Sequence, residues 1–302
     1  MSKAFRLGTR GSLLARTQSI WVADQIKSEI PIELCIVRTE GDDLSLSLTH
    51  PLTPGAFVNA LRNSLLNGEV DFIVHSYKDL PSHPHPKIEI AAIPQREDHR
   101  DILLTHMGQK FSDLKFGDVV GTSSPRRIAA VKYLNPELLT YPIRGNIDSR
   151  IRKVREGEYA AIILAAAGLS RLGMSGEISE YFDIDRILPA PAQGALAVEC
   201  RRDDLQMVSL LRGVDDQNSR ITTTAERALL QGLNAGCDLA VGANAVIESE
   251  TLTLISEIAD PQTGQRERVT LTGDLSEAWD LGIKAAQILK SSSVGSRILG
   301  SP

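Results

Sequence analysis

Through the first two thirds of the chain, apolar runs of four to six residues alternate with stretches of helical period, and no other feature restricts the fold as much. The runs FRLG, IELCIV, DFIVHS, IEIAAI, DILLT, DVVGT, LLTYPI and AAIILA are separated by periodic segments at Ser12–Ile30, Ala56–Asn67, Pro125–Leu134 and Ile147–Glu156. Strands alternating with helices need crossover connections, so the expectation is a largely parallel sheet with helices on both faces. In the first helix Leu13, Ile20, Ala23, Ile26 and Ile30 are expected to form the stripe that packs on the sheet. Leu7-Gly-Thr-Arg-Gly-Ser12 is echoed by Val120-Gly-Thr-Ser-Ser-Pro-Arg126, each a strand end passing through Gly-Thr into a helix. Two similar α/β lobes around a cleft would account for the echo. From about Asp215 the pattern changes to a long helix (Ser219–Leu233), strand-like segments near Ala243–Glu248, Thr251–Ser256 and Val269–Thr272, and a helix over Ser276–Lys290, which reads as a small α+β domain. The tail SSSVGSRILGSP is expected to fray.

With 302 residues, 42% apolar and 24% charged, the chain has the composition of a soluble globular protein of two or three domains. The net charge of −5 argues against a general nucleic-acid binder. It hides a local reversal, because Gly121 to Arg171 carries nine Lys and Arg against four Asp and Glu. Three cysteines without close spacing form neither a disulfide framework nor a zinc pattern, which favours a reducing compartment. The N-terminus passes straight into strand-like sequence and no run is long enough to span a membrane, so the expected location is cytoplasmic.

Three helix starts share one design. In Thr122-Ser-Ser-Pro-Arg-Arg127, Ser124 can cap the helix, Pro125 fits its first position, and Arg126 and Arg127 stand beside the free N–H groups. Arg144-Gly-Asn-Ile-Asp-Ser-Arg150 and Thr9-Arg-Gly-Ser12 repeat it. Ligands of open α/β sheets bind outside the carboxyl ends of the strands, so these turns predict a site for a ligand with several planar anions. Any one of these arginines would equally suit a solvated surface, but three such turns together favour the site. Neither nucleotide-binding glycine motif occurs in a strand-to-helix turn. His75-Ser-Tyr-Lys-Asp-Leu-Pro81 follows a buried strand and offers Asp79 as a carboxylate that could stabilise positive charge; the alternative is a Lys78–Asp79 surface turn with His75 satisfied inside the fold. In Ser82-His-Pro-His-Pro86 the prolines enforce extended chain, which does not suit a metal site. Cys35 and Cys200 lie in apolar strands and are expected to be packing residues, whereas Cys237 lies in a loop between Gly236 and Gly242, with room for a bulky group. Asp238 beside it opposes simple thiolate activation, so taken alone this cysteine suits structural packing as well as function.

In the same order along the chain stand LGTRGS, TEGD, DFIVHSYKDLP, REDHRD, VGTSSPRR, RGNIDSR, GEYAAIILAAAGLSRLG, LPAPAQGALAVEC and TAERALL, followed by the loop around Cys237. Together these motifs resemble the porphobilinogen deaminase (hydroxymethylbilane synthase) family of transferases in tetrapyrrole and heme biosynthesis. The resemblance implies a monomeric enzyme that joins four porphobilinogen molecules head to tail, releasing ammonia, on a covalent dipyrromethane cofactor held through a thioether at Cys237. It implies a catalytic role for Asp79. Arg10, Ser12, Lys78, Asp79, Thr122, Ser124, Arg126, Arg127, Arg144, Gly145 and Gln193 match cofactor-contacting positions, and Arg10, Arg144, Arg150 and Arg171 match positions that hold substrate. The implied fold is two periplasmic-binding-protein-like lobes of type II, residues 1–94 with 195–212 and residues 100–188, plus a C-terminal α+β domain, 217–302. No metal, nucleic acid or membrane partner is implied.

Two segments depart from the family pattern. A Gly-rich, Lys-bearing loop is replaced by Leu52-Thr-Pro-Gly-Ala-Phe57, and GGCxxPxG becomes Ala235-Gly-Cys-Asp-Leu-Ala-Val-Gly242. The rival readings are a two-lobed binding protein for a carboxylate-bearing molecule without catalysis, and an Arg-rich nucleic-acid binder, for which 4% aromatic residues leave little stacking surface.

Overall fold

A computed structural model describes residues 4–37, 56–236 and 239–300. The chain forms two compact units, residues 1–96 with 195–220 and residues 97–194 with 221–302. In the first, strands β1 (Phe5–Thr9), β2 (Ile32–Ile36), β3 (Phe72–Ser76) and β4 (Ile88–Ala92) join β10 (Leu196–Arg201) in the order β2-β1-β3-β10-β4. The strands β1, β2 and β3 are parallel, and β10 is inserted antiparallel between β3 and β4. Helices α1 (Leu13–Ala23), α2 (Ala56–Leu66) and, later in the chain, Leu205–Leu211 accompany this sheet. One core joins Leu7, Phe72, Val74, Val198 and Leu211; a second joins Leu61, Leu65 and Ile73.

The second unit repeats the plan. Its strands β5 (Asp101–Thr105), β6 (Val119–Gly121), β7 (Leu139–Tyr141), β8 (Ala161–Ala165) and β9 (Glu180–Tyr181) take the order β7-β6-β8-β5-β9, with β6 parallel to β7 and β8 and with β5 antiparallel to β8. Helices α3 (Pro125–Leu134), α4 (Ile147–Arg155) and α5 (Ala166–Arg171) follow β6, β7 and β8. The echo between Leu7–Ser12 and Val120–Arg126 therefore marks equivalent strands, the first of each parallel set. Counting Leu205–Leu211 as α6, the chain continues through α7 (Gln217–Leu233), the meander β11 (Ala240–Glu248), β12 (Thr251–Ala259) and β13 (Arg266–Asp274), and helices α8 (Ala278–Ser291) and α9 (Ser293–Leu299). Ala243, Ala245, Leu252 and Leu254 pack one face of the meander on Leu229, Ala285 and Leu289. Two α/β lobes of equivalent strand order with a small α+β part after them are what the sequence led us to expect.

Several expectations are corrected. Helix α1 ends at Ala23, and its buried residues are Gln18, Ser19 and Val22, while Leu13, Ile20 and Trp21 are exposed. The buried polar pair is used: Ser19 Oγ donates to Thr9 Oγ1 at 2.8 Å and Gln18 bonds Ser76 at 3.1 Å, tying the helix to the ends of β1 and β3. The tail does not fray before Leu299, because Ser292 accepts the N–H of Gly295 at 3.0 Å and Val294 is buried. Cys200 is buried, which pushes its thiol up to about 12, but Cys35 is only half-buried because β2 is an edge strand.

Inside the first unit Glu199 of β10 is buried against Arg62 of α2, which donates from Nε at 3.0 Å and from Nη2 at 2.5 Å, and His75 Nε2 lies 3.4 Å away. Burial opposes ionisation of Glu199, yet His75 and Arg62 outweigh it and lower its carboxyl from 4.5 to about 2. The folded carboxyl ionises at lower pH than the unfolded one, so its stabilisation is complete above about pH 4.5 and is lost as pH falls towards 2. In urea titrations the wild type should lose about 3 kcal/mol over that window through this group. Glu199→Gln should be less stable at neutral pH and show a correspondingly flatter acid limb.

Candidate functional site

Parallel strands deliver their carboxyl ends to one edge of each sheet. In the first unit this edge holds Arg10, Gly11 and Ser12 after β1 and the 3-10 turn Tyr77–Asp79 after β3. Ser12 sits at the N-cap of α1, where its hydroxyl is 3.4 Å from the N–H of Ala15. The Tyr77 N–H donates to Ala195 O at 3.0 Å, and Leu80 N–H closes the turn on Tyr77 O at 3.2 Å. Lys78 is half-buried and Asp79 exposed, with no hydrogen bond or ion pair from Asp79 to a described residue. His75 is buried against Glu199, so of this cluster Lys78 and Asp79 face solvent.

The second unit gathers the basic turns. Ser124 occupies the N-cap of α3 and Pro125 follows it, but the Ser124 side chain caps nothing; the Ser124 N–H instead reaches Thr122 Oγ1 at 3.2 Å. Arg126 and Arg127 are buried, and both are ion-paired to Asp101, with contacts of 2.6 Å from Arg126 Nη1 and 2.8 Å from Arg127 Nη2. Gln193 Nε2 adds a third partner to Asp101 at 2.9 Å and also bonds His99 O at 2.8 Å. Burial works against the Asp101 charge, but Arg126 and Arg127 overcome it and hold the carboxyl well below the usual range. Asp101 was not among the residues expected from the sequence. Its signals were its place at the end of the motif REDHRD and at the head of the apolar run DILLT.

Arg150 and Arg171 are placed differently. Gly145 takes a φ of +109°, and its carbonyl receives Arg150 Nε at 2.8 Å. Arg171 Nη2 donates to Gly194 O at 2.7 Å. Burial lowers the pKa of both guanidiniums, with the nearby Arg127 charge adding to the effect on Arg150, and Arg171 falls to about 10 despite Glu97. Neither makes an ion pair within 4.0 Å to a described carboxylate, although Glu97 acts on Arg171 from farther away. A desolvated cation bonded only to a carbonyl gains when an anion arrives. Arg144 is exposed beside them.

Cys237, Asp238 and the Leu52–Gly55 run lie outside the described residues. The flanks of the cysteine loop are described: Ala235 is buried behind α7, and Ala240, opening β11, packs with Ala259 on Ala129 of α3, one turn beyond Arg126. His83 is exposed, and among the described residues no group of three or more His, Cys, Asp or Glu could hold a metal ion. No described helix is long and apolar enough to cross a membrane.

Two units of one sheet order, with cations and acids collected at strand ends, define a two-lobed α/β protein of the class whose ligands sit beyond the strand carboxyl ends. The sequence profile of "Porphobilinogen deaminase, dipyromethane cofactor binding domain" matches residues 5–209, and that of "Porphobilinogen deaminase, C-terminal domain" matches residues 220–291. The porphobilinogen deaminase of Acidothermus cellulolyticus is 46% identical over 287 residues, 93% of this chain and 87% of that protein. That of Brevibacillus brevis is 41% identical over 96% of this chain and 95% of its own length. The chain belongs to the porphobilinogen deaminase family, and it is a transferase that uses a dipyrromethane cofactor. Solved structures with similar chain courses include the periplasmic VFT2 domain of Bordetella pertussis BvgS, at 13% identity and a TM-score of 0.42 over 70% of this chain and 86% of that one. A methionine-binding lipoprotein described as putative from Bacillus subtilis gives 10% identity and a TM-score of 0.44 over 70% and 90%.

Two glycines at positive φ separate backbone strain from crowding. A Cβ on Gly145 would lie 2.2 Å from Ser149 Oγ, whereas Gly157, at a φ of +79°, has nothing within 4 Å. Gly157→Ala should cost about 1 kcal/mol in urea unfolding and Gly145→Ala about 2–3 kcal/mol, since it adds a clash beneath the Arg150 anchor.

Proposed function

We propose that this chain deaminates porphobilinogen and joins four molecules head to tail into hydroxymethylbilane, with Asp79 as the catalytic carboxylate and Cys237 as the thioether attachment of dipyrromethane. The observation that carries this reading is the exposed Asp79 carboxylate, not neutralised by any described cation, at the carboxyl end of β3. A free carboxylate there can accept the N–H of a pyrrole and stabilise the positive charge that develops on its nitrogen when ammonia leaves. Its position on a short turn pinned by Tyr77 and Leu80 means that little reorganisation is needed as the charge appears.

The donor set fits dipyrromethane, whose two rings carry an acetate and a propionate each. Arg150 and Arg171 are desolvated and bonded to carbonyls, and the start of α3 offers a Ser124 hydroxyl not engaged in capping. When bound, the cofactor supplies the free pyrrole carbon to which the first substrate unit is joined. In this reading Arg10, Ser12 and Lys78 on the first unit, and Thr122, Ser124, Arg126, Arg127, Arg144, Gly145 and Gln193 on the second, hold or frame the cofactor. Arg10, Arg144, Arg150 and Arg171 take substrate carboxylates. Bidentate guanidinium contacts orient those carboxylates and so aim each ring.

We also divide the chain into three domains, 1–94 with 195–212, 100–188, and 217–302, the last carrying the cysteine loop. The protein is read as a cytoplasmic monomer that does not engage nucleic acid, supported by the few, unclustered cysteines, the −5 charge and the low aromatic content.

Intact-mass measurement tests the attachment. Wild type should exceed its polypeptide mass by one dipyrromethane and Cys237→Ala should not; retention of the added mass in the variant would move the attachment to Cys35 or Cys200. Asp79→Asn should fold and load cofactor normally while turnover drops at least about 100-fold. Near-normal rates would return Asp79 to the status of a surface residue.

A further inference from the structure

The pairing of β6 with β7 stops at Gly121 and Tyr141, and the Thr122 N–H makes one more bond, to Tyr141 O at 2.9 Å. Pro142 and Ile143 therefore leave the ladder just before Arg144. Ile143 is buried and shares a core with Ile151 of α4 and Ile162 of β8, so its backbone groups need partners inside the protein. Two hydroxyls serve this stretch. Ser123 Oγ donates to Ile143 O at 3.1 Å and accepts the Ile143 N–H at 3.2 Å, and Tyr159 Oη donates to Pro142 O at 2.8 Å. The Tyr159 ring lies against Gly121, where a Cβ would stand 2.8 Å from its Cδ1, so β6 ends in glycine to admit the ring.

These bonds join the two basic turns of the second unit. Ser123 stands between Thr122 and Ser124, at the start of the helix that bears Arg126 and Arg127. The residue it grips is followed at once by Arg144 and by Gly145, whose carbonyl anchors Arg150 Nε at 2.8 Å. The spacing between the turns is thus set by side chains where the sheet has already ended. A ligand with several carboxylates bridges both turns only when their cations stand at matching distances, and a displacement of about 1 Å is enough to spoil bidentate contact. We propose that Ser123 and Tyr159 are positioning residues for the reaction: their hydroxyls hold the turn from Arg144 to Arg150 at the distance from the start of α3 that the carboxylates of one ligand require. Both act through the backbone of Pro142 and Ile143 and not by touching the ligand. This rests on the reading that ligand carboxylates dock at these two turns.

The test compares cofactor-loaded wild type with Ser123→Ala and Tyr159→Phe. Each removes one hydroxyl; Ser123 is exposed, and the second variant keeps the ring against Gly121. Amide hydrogen exchange read by mass spectrometry should quicken about ten-fold or more in the peptide covering residues 142–150, while α3 keeps its wild-type protection. KM for porphobilinogen should rise about five-fold or more, with kcat per loaded molecule within about two-fold of wild type. Ser123→Thr restores a hydroxyl and should return both readings to wild-type values. A looser fold alone would lower the loaded, active fraction without raising KM. An unchanged KM in either hydroxyl variant overturns the proposal. A raised KM with unchanged exchange in Ser123→Ala also overturns it, because Ser123 would then bind substrate directly. Should Ser123→Ala fail to fold, Tyr159→Phe carries the test with the same outcomes. Arg144→Gln separates the underlying reading: an unchanged KM there would show that carboxylates do not dock at this turn, whereas a raised KM there beside an unchanged KM in the hydroxyl variants would remove only the positioning role.

Discussion

Parallel pairing of the central strands is the constraint from which the rest follows. In each unit four strands run the same way against one, and β1, β6, β7 and β8 pass directly into α1, α3, α4 and α5. The edge at those strand ends collects the N–H groups that a helix start leaves unpaired together with whatever polar side chains the turns carry. The opposite edge receives the ordinary loops. A chain folded this way has one face for chemistry in each unit, and the turns after β1, β3, β6 and β7 are where its Arg, Ser, Lys and Asp residues lie.

Each sheet also takes in one antiparallel strand, and each of these carries a buried carboxylate: Glu199 in β10 and Asp101 in β5. Both acids are held by arginine from a helix packed on the sheet, Arg62 in one case and Arg126 with Arg127 in the other. Their positions differ in depth. Glu199 pairs with Ile73 in mid-strand, where it locks α2 and β3 to β10, while Asp101 opens β5 opposite Ala165 at the carboxyl end of β8. The internal repeat therefore extends from topology to charge, with a structural copy and an edge copy of one device. Arg126 Nε is left buried without a partner, a cost of about 1–3 kcal/mol that the pair with Asp101 must offset.

Strand and helix alternation, the echo of the two lobes and the change of character near Asp215 were legible because each is a local periodicity that survives in the sequence. The outer face of α1 departs from the expected stripe because Leu13 and Ile20 satisfy the helical period, yet the sheet edge needed Gln18 and Ser19 to bond Ser76 and Thr9. The basic turns were found, but not the difference in pairing among them. Arg126 and Arg127 look like Arg150 in a sequence, and their difference comes from Asp101, twenty-five residues earlier and joined only by the fold. A lone acid in an apolar run, as in DILLT or ALAVEC, is the usable signal. It marks a carboxylate that must find a cation, without saying which.

The segment from Leu188 to Gly194 shows what that pairing depends on. Leu188 O receives Arg126, Gly194 O receives Arg171, and the Gln193 amide binds Asp101. Its Ala192 is held at a φ of +62°, with its N–H donated at 2.6 Å to Glu226 of α7, which also takes the N–H of Ala245 in β11 at 2.8 Å. A non-glycine residue in that conformation costs about 1 kcal/mol or more, so the surrounding bonds must over-determine it. Gly194, at a φ of +88°, leaves room for Glu97 O, which a Cβ would approach to 2.4 Å. Arg126, Arg171 and, through Gln193, Asp101 are thus positioned against one strained stretch of backbone. That stretch is fixed by Glu226 of α7, and the same carboxylate fixes β11 through Ala245, which makes the basic edge and the start of the meander parts of a single framework in the second unit.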